Sequence, residues 1–227
     1  MYMDQYNKTR GKGYILLPLG NHDLSRLNIN RSPKELEMIF AFSILMPGIP
    51  FIYYGNEIGM KQLDHLPYVE GAYKPRAGAR TPMQWTPGKN LGFSVCDPEK
   101  LYLPVDPSPD APNVASQIND PNSLLTKVRQ LIQLKKSEPA LAAYAEFVPV
   151  YAKENTYPFI FARAAGKETV LAIFNPAGHE SKASFSLNIA AKKLLLLAGE
   201  KIDISNKELE YSLSMPGVSY AVYKVVY

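Results

Sequence analysis

An imidazole and a carboxylate stand side by side at His22 and Asp23, directly after Asn21 and at the end of an apolar run. Together they can hold a polar ligand, since a ring nitrogen can donate a hydrogen bond and a carboxylate can accept several. A carboxylate placed just after a strand often does no more than shape a turn or cap a helix. Here the following helix has its own cap in Ser32, which leaves Asp23 for another task. An isolated histidine would read as a core residue satisfied by backbone, whereas beside Asp23 a ligand contact is the stronger reading. Arg26 lies in the same stretch and either pairs with a carboxylate from elsewhere or sits on the surface.

Two strands and a helix must position these groups. Tyr14-Ile15-Leu16-Leu17 has the length and bulk of a strand buried on both faces, and Ser32-Pro33-Lys34-Glu35 opens a helix with an N-cap, a proline at the first position and a capping-box glutamate. Leu36, Ile39, Phe40 and Ile44 continue that helix until Pro47-Gly48 stops it, and Pro50-Phe51-Ile52-Tyr53-Tyr54 reads as a second strand, ended by Gly55-Asn56-Glu57-Ile58-Gly59-Met60. Units of this kind carry reactive residues just past the strand, where a loop can approach a ligand from a rigid base.

Asn21-His22-Asp23, Gly55 to Met60 and Arg80-Thr81-Pro82-Met83-Gln84-Trp85, followed by Leu103-Pro104-Val105-Asp106, occur in an order that resembles the last two strands of the catalytic barrel in glycoside hydrolase family 13, the α-amylase family. The resemblance runs from about Tyr14 to the end and is nearest the oligo-α-glucosidase and trehalose synthase branch. It implies the C-terminal part of a (βα)8 barrel followed by an antiparallel β-sandwich, with residues 1–139 in the barrel and 140–227 in the sandwich.

It also implies roles for particular residues. Enzymes of this family use an aspartate nucleophile, a glutamate acid/base and a second aspartate that grips the substrate hydroxyls, and only the last has a counterpart here, in Asp23. A retaining glycosidase needs its nucleophile and acid/base roughly 5–5.5 Å apart across the scissile bond, so the chain is expected to be inactive alone. Asp23 would bind two hydroxyls of the reacting ring and tighten as the ring flattens, with His22 donating to the same ring and Asn21 among the substrate-binding residues. Arg80 matches the arginine that reaches the non-reducing sugar pocket, a task suited to a fork of fixed donors. The family's usual Arg-Asp-Asn-Ala-Arg appears as Arg76-Ala77-Gly78-Ala79-Arg80, and its Gly-Asp-Glu appears with Asn56 before Glu57. Glu57 is then structural and not half of a carboxylate pair with Asp23. Gln84 and Trp85 are either pocket wall or core, and Arg26 and Glu57 are further candidates for wall or support.

Composition narrows the partners. The chain has 227 residues, is 46% hydrophobic and carries a net charge of +4 with the basic residues dispersed, so neither nucleic acid nor a membrane is expected. Cys96 is the only cysteine, which excludes an internal disulfide, and no metal or cofactor site is readable. If Met1 is the true start, the absence of an apolar signal core implies a cytoplasmic protein. Residues 61–120 read as a long irregular insertion. Asp120-Pro121 reads as the start of a second helix, with Leu124, Val128, Leu131 and Ile132 buried and Lys135-Lys136 at its negative end. Beyond Pro139 the spacing turns to strands: Phe159 to Arg163 and Val170 to Phe174 about a Gly166-Lys167 turn, then Lys193 to Leu197 and Val218 to Val226. The expected ligand is an α-glucan or small α-glucoside, and the expected partner is a missing N-terminal barrel portion or a second copy of the chain. The rival readings are a non-catalytic module that binds carbohydrate or a partner chain, and one chain of a split enzyme.

Overall fold

Ser32, Pro33 and Glu35 set the start of the long helix between the two short strands. The computed structural model describes residues 2–66, 68–72, 74–188 and 190–227. It opens with α1 (Tyr2–Thr9), β1 (Leu16–Leu19), α2 (Pro33–Leu45) and β2 (Ile49–Ile52), the two strands pairing in a two-stranded sheet. The Ser32 N–H donates to Glu35 Oε2 at 2.7 Å, and the Glu35 N–H returns to Ser32 Oγ at 3.3 Å, completing the capping box. The Ser32 N–H and the Ser32 hydroxyl, which donates to Glu35 Oε2 at 2.8 Å, hold the Glu35 carboxyl below its usual range. The helix stops at a glycine that nothing else could replace cheaply: Gly48 has φ +94°, and a Cβ there would lie 2.4 Å from the Ile15 carbonyl oxygen. The next residue, Ile49, donates its N–H to that same oxygen at 2.9 Å.

Both strands sit differently from the sequence reading. β1 begins later because the Tyr14 ring is stacked on Tyr144 at 4.4 Å, and β2 ends before Tyr53 and Tyr54, which turn away into the following loop. Neither strand is buried on both faces: Leu16 and Phe51 are each 52% exposed. Among the described residues each strand pairs with the other alone, which leaves one edge of each unpaired there.

The insertion is ordered by short turns, including α3 (Lys74–Ala77) and α4 (Val114–Gln117), and by a small core of Ala72, Ala77 and Leu103. The second long helix, α5 (Leu124–Ser137), starts later than Asp120-Pro121 suggests. Ser123 is the cap, its Oγ accepting from the Thr126 N–H at 3.2 Å, while Asp120 Oδ1 accepts from Asn122 N–H and closes a turn upstream. Val128 and Leu131 are buried as expected; Ile132 is 37% exposed and lies off that stripe.

The remainder is antiparallel: β3 (Glu146–Tyr151), β4 (Phe159–Ala165), β5 (Glu168–Asn175), β6 (Ser181–Ser186), β7 (Lys193–Gly199), β8 (Asp203–Lys207), β9 (Glu210–Met215) and β10 (Ser219–Val226). They form a five-stranded sheet, β3-β4-β5-β10-β7, and a three-stranded sheet, β6-β9-β8. Alternate residues of both sheets, among them Ile160, Ile173, Phe185, Tyr211, Ala221 and Tyr223, share one apolar core, which makes a sandwich. The other face of the larger sheet is aromatic: Phe42 of α2 meets Phe174 edge-on at 5.4 Å, and Phe174 stacks between Phe161 and Tyr220.

Residue contacts divide the chain into two compact units, one of Met1–Leu17, Met38–Ile49 and Leu131–Tyr227, the other of Pro18–Glu37 and Pro50–Gln130. Within the first, Lys135 and Arg163 finish α2. Lys135 Nζ donates to the carbonyls of Ile44 and Met46 at 2.7 and 3.0 Å, and Arg163 Nη1 to that of Leu45 at 2.6 Å. Burial and the Arg163 charge push the Lys135 ammonium down to about 7, and burial pushes Arg163 down to about 10. The Asn21-His22-Asp23 loop and Arg80 both belong to the second unit.

Candidate functional site

The loop after β1 is folded by its own asparagine. Asn21 Oδ1 accepts from the backbone N–H of Asp23 at 2.7 Å and of Leu24 at 3.0 Å, so Asn21 shapes the turn that presents Asp23. Its carboxylate meets two guanidinium groups through a single oxygen: Arg76 Nη1 donates to Asp23 Oδ1 at 2.9 Å and Arg80 Nη2 at 3.1 Å. His22 Nε2 lies 3.6 Å from the same oxygen, and its carbonyl accepts from Arg80 Nε at 2.9 Å. Asp23 Oδ2 carries no protein hydrogen bond among the described residues. All four groups are partly exposed, so a polar ligand can reach them.

Arg80 is held from β2's end. The hydroxyl of Tyr53 donates to the Ala79 carbonyl at 3.2 Å and that of Tyr54 to the Thr81 carbonyl at 2.7 Å, bracketing Arg80 on the main chain. Burial raises the Tyr54 phenol to about 12, so it remains a donor at any ordinary pH. The same two rings enclose Arg26, whose guanidinium carbon is 5.4 Å from the Tyr53 centroid and 4.9 Å from that of Tyr54. Arg26 is buried, not on the surface, and Nη1 donates to the Tyr54 carbonyl at 2.7 Å. Burial lowers its pKa, with Tyr54, Tyr53 and Glu57 opposing.

The loop after β2 is tied to the end of β1. Asn56 Nδ2 donates to the Leu19 carbonyl at 2.6 Å, a bond that an ionised aspartate at this position could not make. Burial raises the Glu57 carboxyl pKa, and its Oε2 is buried without a hydrogen-bond partner among the described residues. Gln84 is buried, its Nε2 donating to the Pro112 carbonyl, and so belongs to the packing. Trp85 instead lines a concavity of about 460 Å³ with Tyr54, Glu57, Arg80, Phe93 and Tyr102.

Sequence reasoning missed Arg76, Tyr53, Tyr54, Phe93 and Tyr102. The one signal for Arg76 was its position four residues before Arg80, a spacing that places two side chains on the same side of a helical turn. No group of three or more His, Cys, Asp or Glu side chains among the described residues could hold a metal ion, and no helix among them is long and apolar enough to cross a membrane.

Residues 1–144 match the family model for the catalytic domain of α-amylase. The chain is 30% identical over 200 residues to the oligo-1,6-glucosidase of Parageobacillus thermoglucosidasius, an alignment covering 73% of this chain and 34% of that enzyme. It is 36% identical over 121 residues to the trehalose synthase/amylase TreS of Mycobacterium tuberculosis, covering 52% and 19%. An isomaltulose synthase of Erwinia rhapontici NX5, crystallised as a mutant with D-glucose, superposes with a TM-score of 0.75 at 20% identity over all of this chain and 46% of that one. The chain therefore spans less than half the length of these proteins, and the shared fold is the C-terminal part of a (βα)8 barrel with the β-sandwich after it. The chain belongs to the α-amylase family, glycoside hydrolase family 13.

Proposed function

We propose that this chain supplies the substrate-gripping part of a glycosidase acting on α-glucosidic bonds, with Asp23 as the transition-state-stabilising carboxylate and His22 and Arg80 as substrate-binding residues. The observation that carries this reading is the engagement of Asp23 Oδ1 by both Arg76 and Arg80, with Oδ2 left without a hydrogen bond among the described residues. A carboxylate oriented in this way can accept from a sugar hydroxyl through Oδ2 without swinging. Its grip strengthens as positive charge develops on the ring, and an interaction stronger in the transition state than in the ground state accelerates the reaction.

Turnover needs a nucleophile and an acid/base flanking the scissile bond, and these belong to an N-terminal barrel portion that the chain does not supply. That portion, or a second copy of this chain covering the same strands, is its expected partner; an α-glucan or small α-glucoside is its expected ligand. The family match supports this reading over a non-catalytic carbohydrate- or partner-binding module.

Two measurements test it. The purified chain should not hydrolyse maltose, isomaltose, trehalose or an aryl α-glucoside above background; turnover that survives stringent purification and disappears in Asp23→Ala would overturn the division of labour. Nuclear magnetic resonance titration with methyl α-glucoside should shift the amides of residues 21–24 in the parent chain and not in Asp23→Ala. Equal shifts in both would remove Asp23 from the ligand.

A further inference from the structure

We propose that Arg26 is a positioning residue for the site at Asp23. Clamped between the rings of Tyr53 and Tyr54, its guanidinium aims the two phenol hydroxyls that hold the backbone on either side of Arg80. This deepens, and rests on, the reading of Asp23 as the ring-gripping carboxylate.

A buried cation with incomplete bonding needs a reason to be there. Arg26 is 1% exposed, yet its guanidinium makes one hydrogen bond, from Nη1 to the Tyr54 carbonyl at 2.7 Å; Nε and Nη2 are buried without a hydrogen-bond partner among the described residues. Taking a guanidinium out of water is costly, and an apolar side chain of similar volume would often pack as well or better. An apolar chain could not attract two aromatic faces at once. The guanidinium carbon lies 5.4 Å from the Tyr53 centroid and 4.9 Å from that of Tyr54, and the two rings meet edge-on at 4.7 Å. One planar cation is thus shared by both rings, which fixes the angle between them as well as their place.

The surroundings are shaped to seat it. Gly55 leaves the necessary room: a Cβ there would lie 3.0 Å from Arg26 Nη1 and 2.2 Å from Sδ of Met60, itself fully buried. Burial works against the charge on Arg26, and Tyr54, Tyr53 and Glu57 work for it. The main chain is fixed as well, the Arg26 N–H donating to Gln62 Oε1 at 3.3 Å. The other end of that amide stands close to the Arg80 segment, for a Cβ at Gly78 would lie 2.5 Å from Gln62 Nε2.

From the rings to Arg80 the route is short. The Tyr53 and Tyr54 hydroxyls donate to the Ala79 and Thr81 carbonyls, and Arg80 between them donates from Nε to the His22 carbonyl and from Nη2 to Asp23. A phenol hydroxyl sits at the far end of its ring, so a small tilt of the ring moves it most. Arg26 follows Asp23 by three residues, and Asp23, Arg80, the tyrosine pair and Arg26 therefore close a circuit. Loss of the cation should be felt at Asp23 although the guanidinium is too deeply buried to meet a ligand.

Arg26→Lys keeps a positive charge and loses the plane that both rings share. It should weaken methyl α-glucoside binding, read from the amides of residues 21–24, by roughly tenfold, within the range for a residue that modulates a site it does not touch. Hydrogen exchange at Arg80 Nε–H should quicken in parallel. A double-mutant cycle separates positioning from general support. Tyr53→Phe with Tyr54→Phe retains the rings and removes the hydroxyls; in that background Arg26→Lys should change neither affinity nor exchange further, while still lowering the urea midpoint. Equal losses in both backgrounds, or unmoved affinity and exchange in an Arg26→Lys chain with a lowered midpoint, would overturn the positioning role. The tyrosine pair tests it even where Arg26→Lys does not fold: Arg80 Nε–H exchange unchanged in the double phenylalanine variant would show that the hydroxyls do not hold Arg80. Exchange needs no sugar. Residues 21–24 that ignore methyl α-glucoside in the parent chain would therefore overturn the reading of Asp23, and the exchange cycle alone would still decide for or against Arg26.

Discussion

Arg80 owes its position to groups outside its own segment. The Tyr53 and Tyr54 hydroxyls hold the carbonyls on either side of it, and Gly78 lets the chain pass close beneath. A Cβ at Gly78 would lie 2.0 Å from the Leu63 carbonyl oxygen, so neither alanine nor the asparagine usual in the family fits without moving backbone. Gly78→Ala should cost about 1–3 kcal/mol, the usual range for overpacking, and should weaken methyl α-glucoside binding by displacing Arg80. Urea denaturation and the sugar titration check this, and unchanged values in both would show that the segment yields freely. At this scale the contiguous groups were legible: Asn21, His22 and Asp23 are neighbours in the chain, and Arg80 opens a distinctive run. Arg76 reaches back 53 residues to Asp23, and no local pattern encodes that. The paired tyrosines read as strand because their bulk is apolar, although their hydroxyls determine what they do.

Elements were more legible at their starts than in their partners. Ser32 and Glu35 mark the beginning of α2 by side chains within one turn, whereas its end is completed by Lys135 and Arg163 from distant segments. Lys135 reads from sequence as a favourable charge at the end of its own helix; it serves another helix instead. Strands β3, β6, β8 and β9 carry a weak sequence signal, since each has only five or six residues and their small or polar side chains dilute the apolar alternation. The Lys135 environment also predicts a pH dependence. Folded, the ammonium releases its proton at about 7; unfolded, it holds it to about 10.4. Between these values the unfolded chain binds more protons, so stability should rise with pH, and the cost of the buried charge is fully present below about 7. Urea midpoints at pH 7 and at about pH 9.5 should therefore differ in the parent chain and converge in Lys135→Met. A slope identical in both would assign the titration to another group.

At the scale of the whole molecule, the two-stranded sheet is the exposed weakness. Leu16 and Phe51 are half exposed, and both strands have an edge unpaired among the described residues. Side chains left wet forfeit roughly 1.5–3 kcal/mol each, so a few together rival the 5–15 kcal/mol stability of a typical domain. The chain alone should self-associate, or exchange its amides rapidly over residues 14–60 while the β-sandwich stays protected. A clean monomer by light scattering with uniformly slow exchange there would show that the chain covers these strands itself. The cations at the end of α2 carry one more consequence, for the order in which the protein is made. The bond from Arg163 to Leu45 closes a loop of 118 residues, and those from Lys135 close loops of 91 and 89. A ribosome releases α2 long before either cation emerges, so the Ile44 and Met46 carbonyls wait for α5 to bring Lys135 and the Leu45 carbonyl waits further for β4 to bring Arg163; truncation before Lys135 leaves all three open, and truncation between Lys135 and Arg163 leaves the Leu45 carbonyl open.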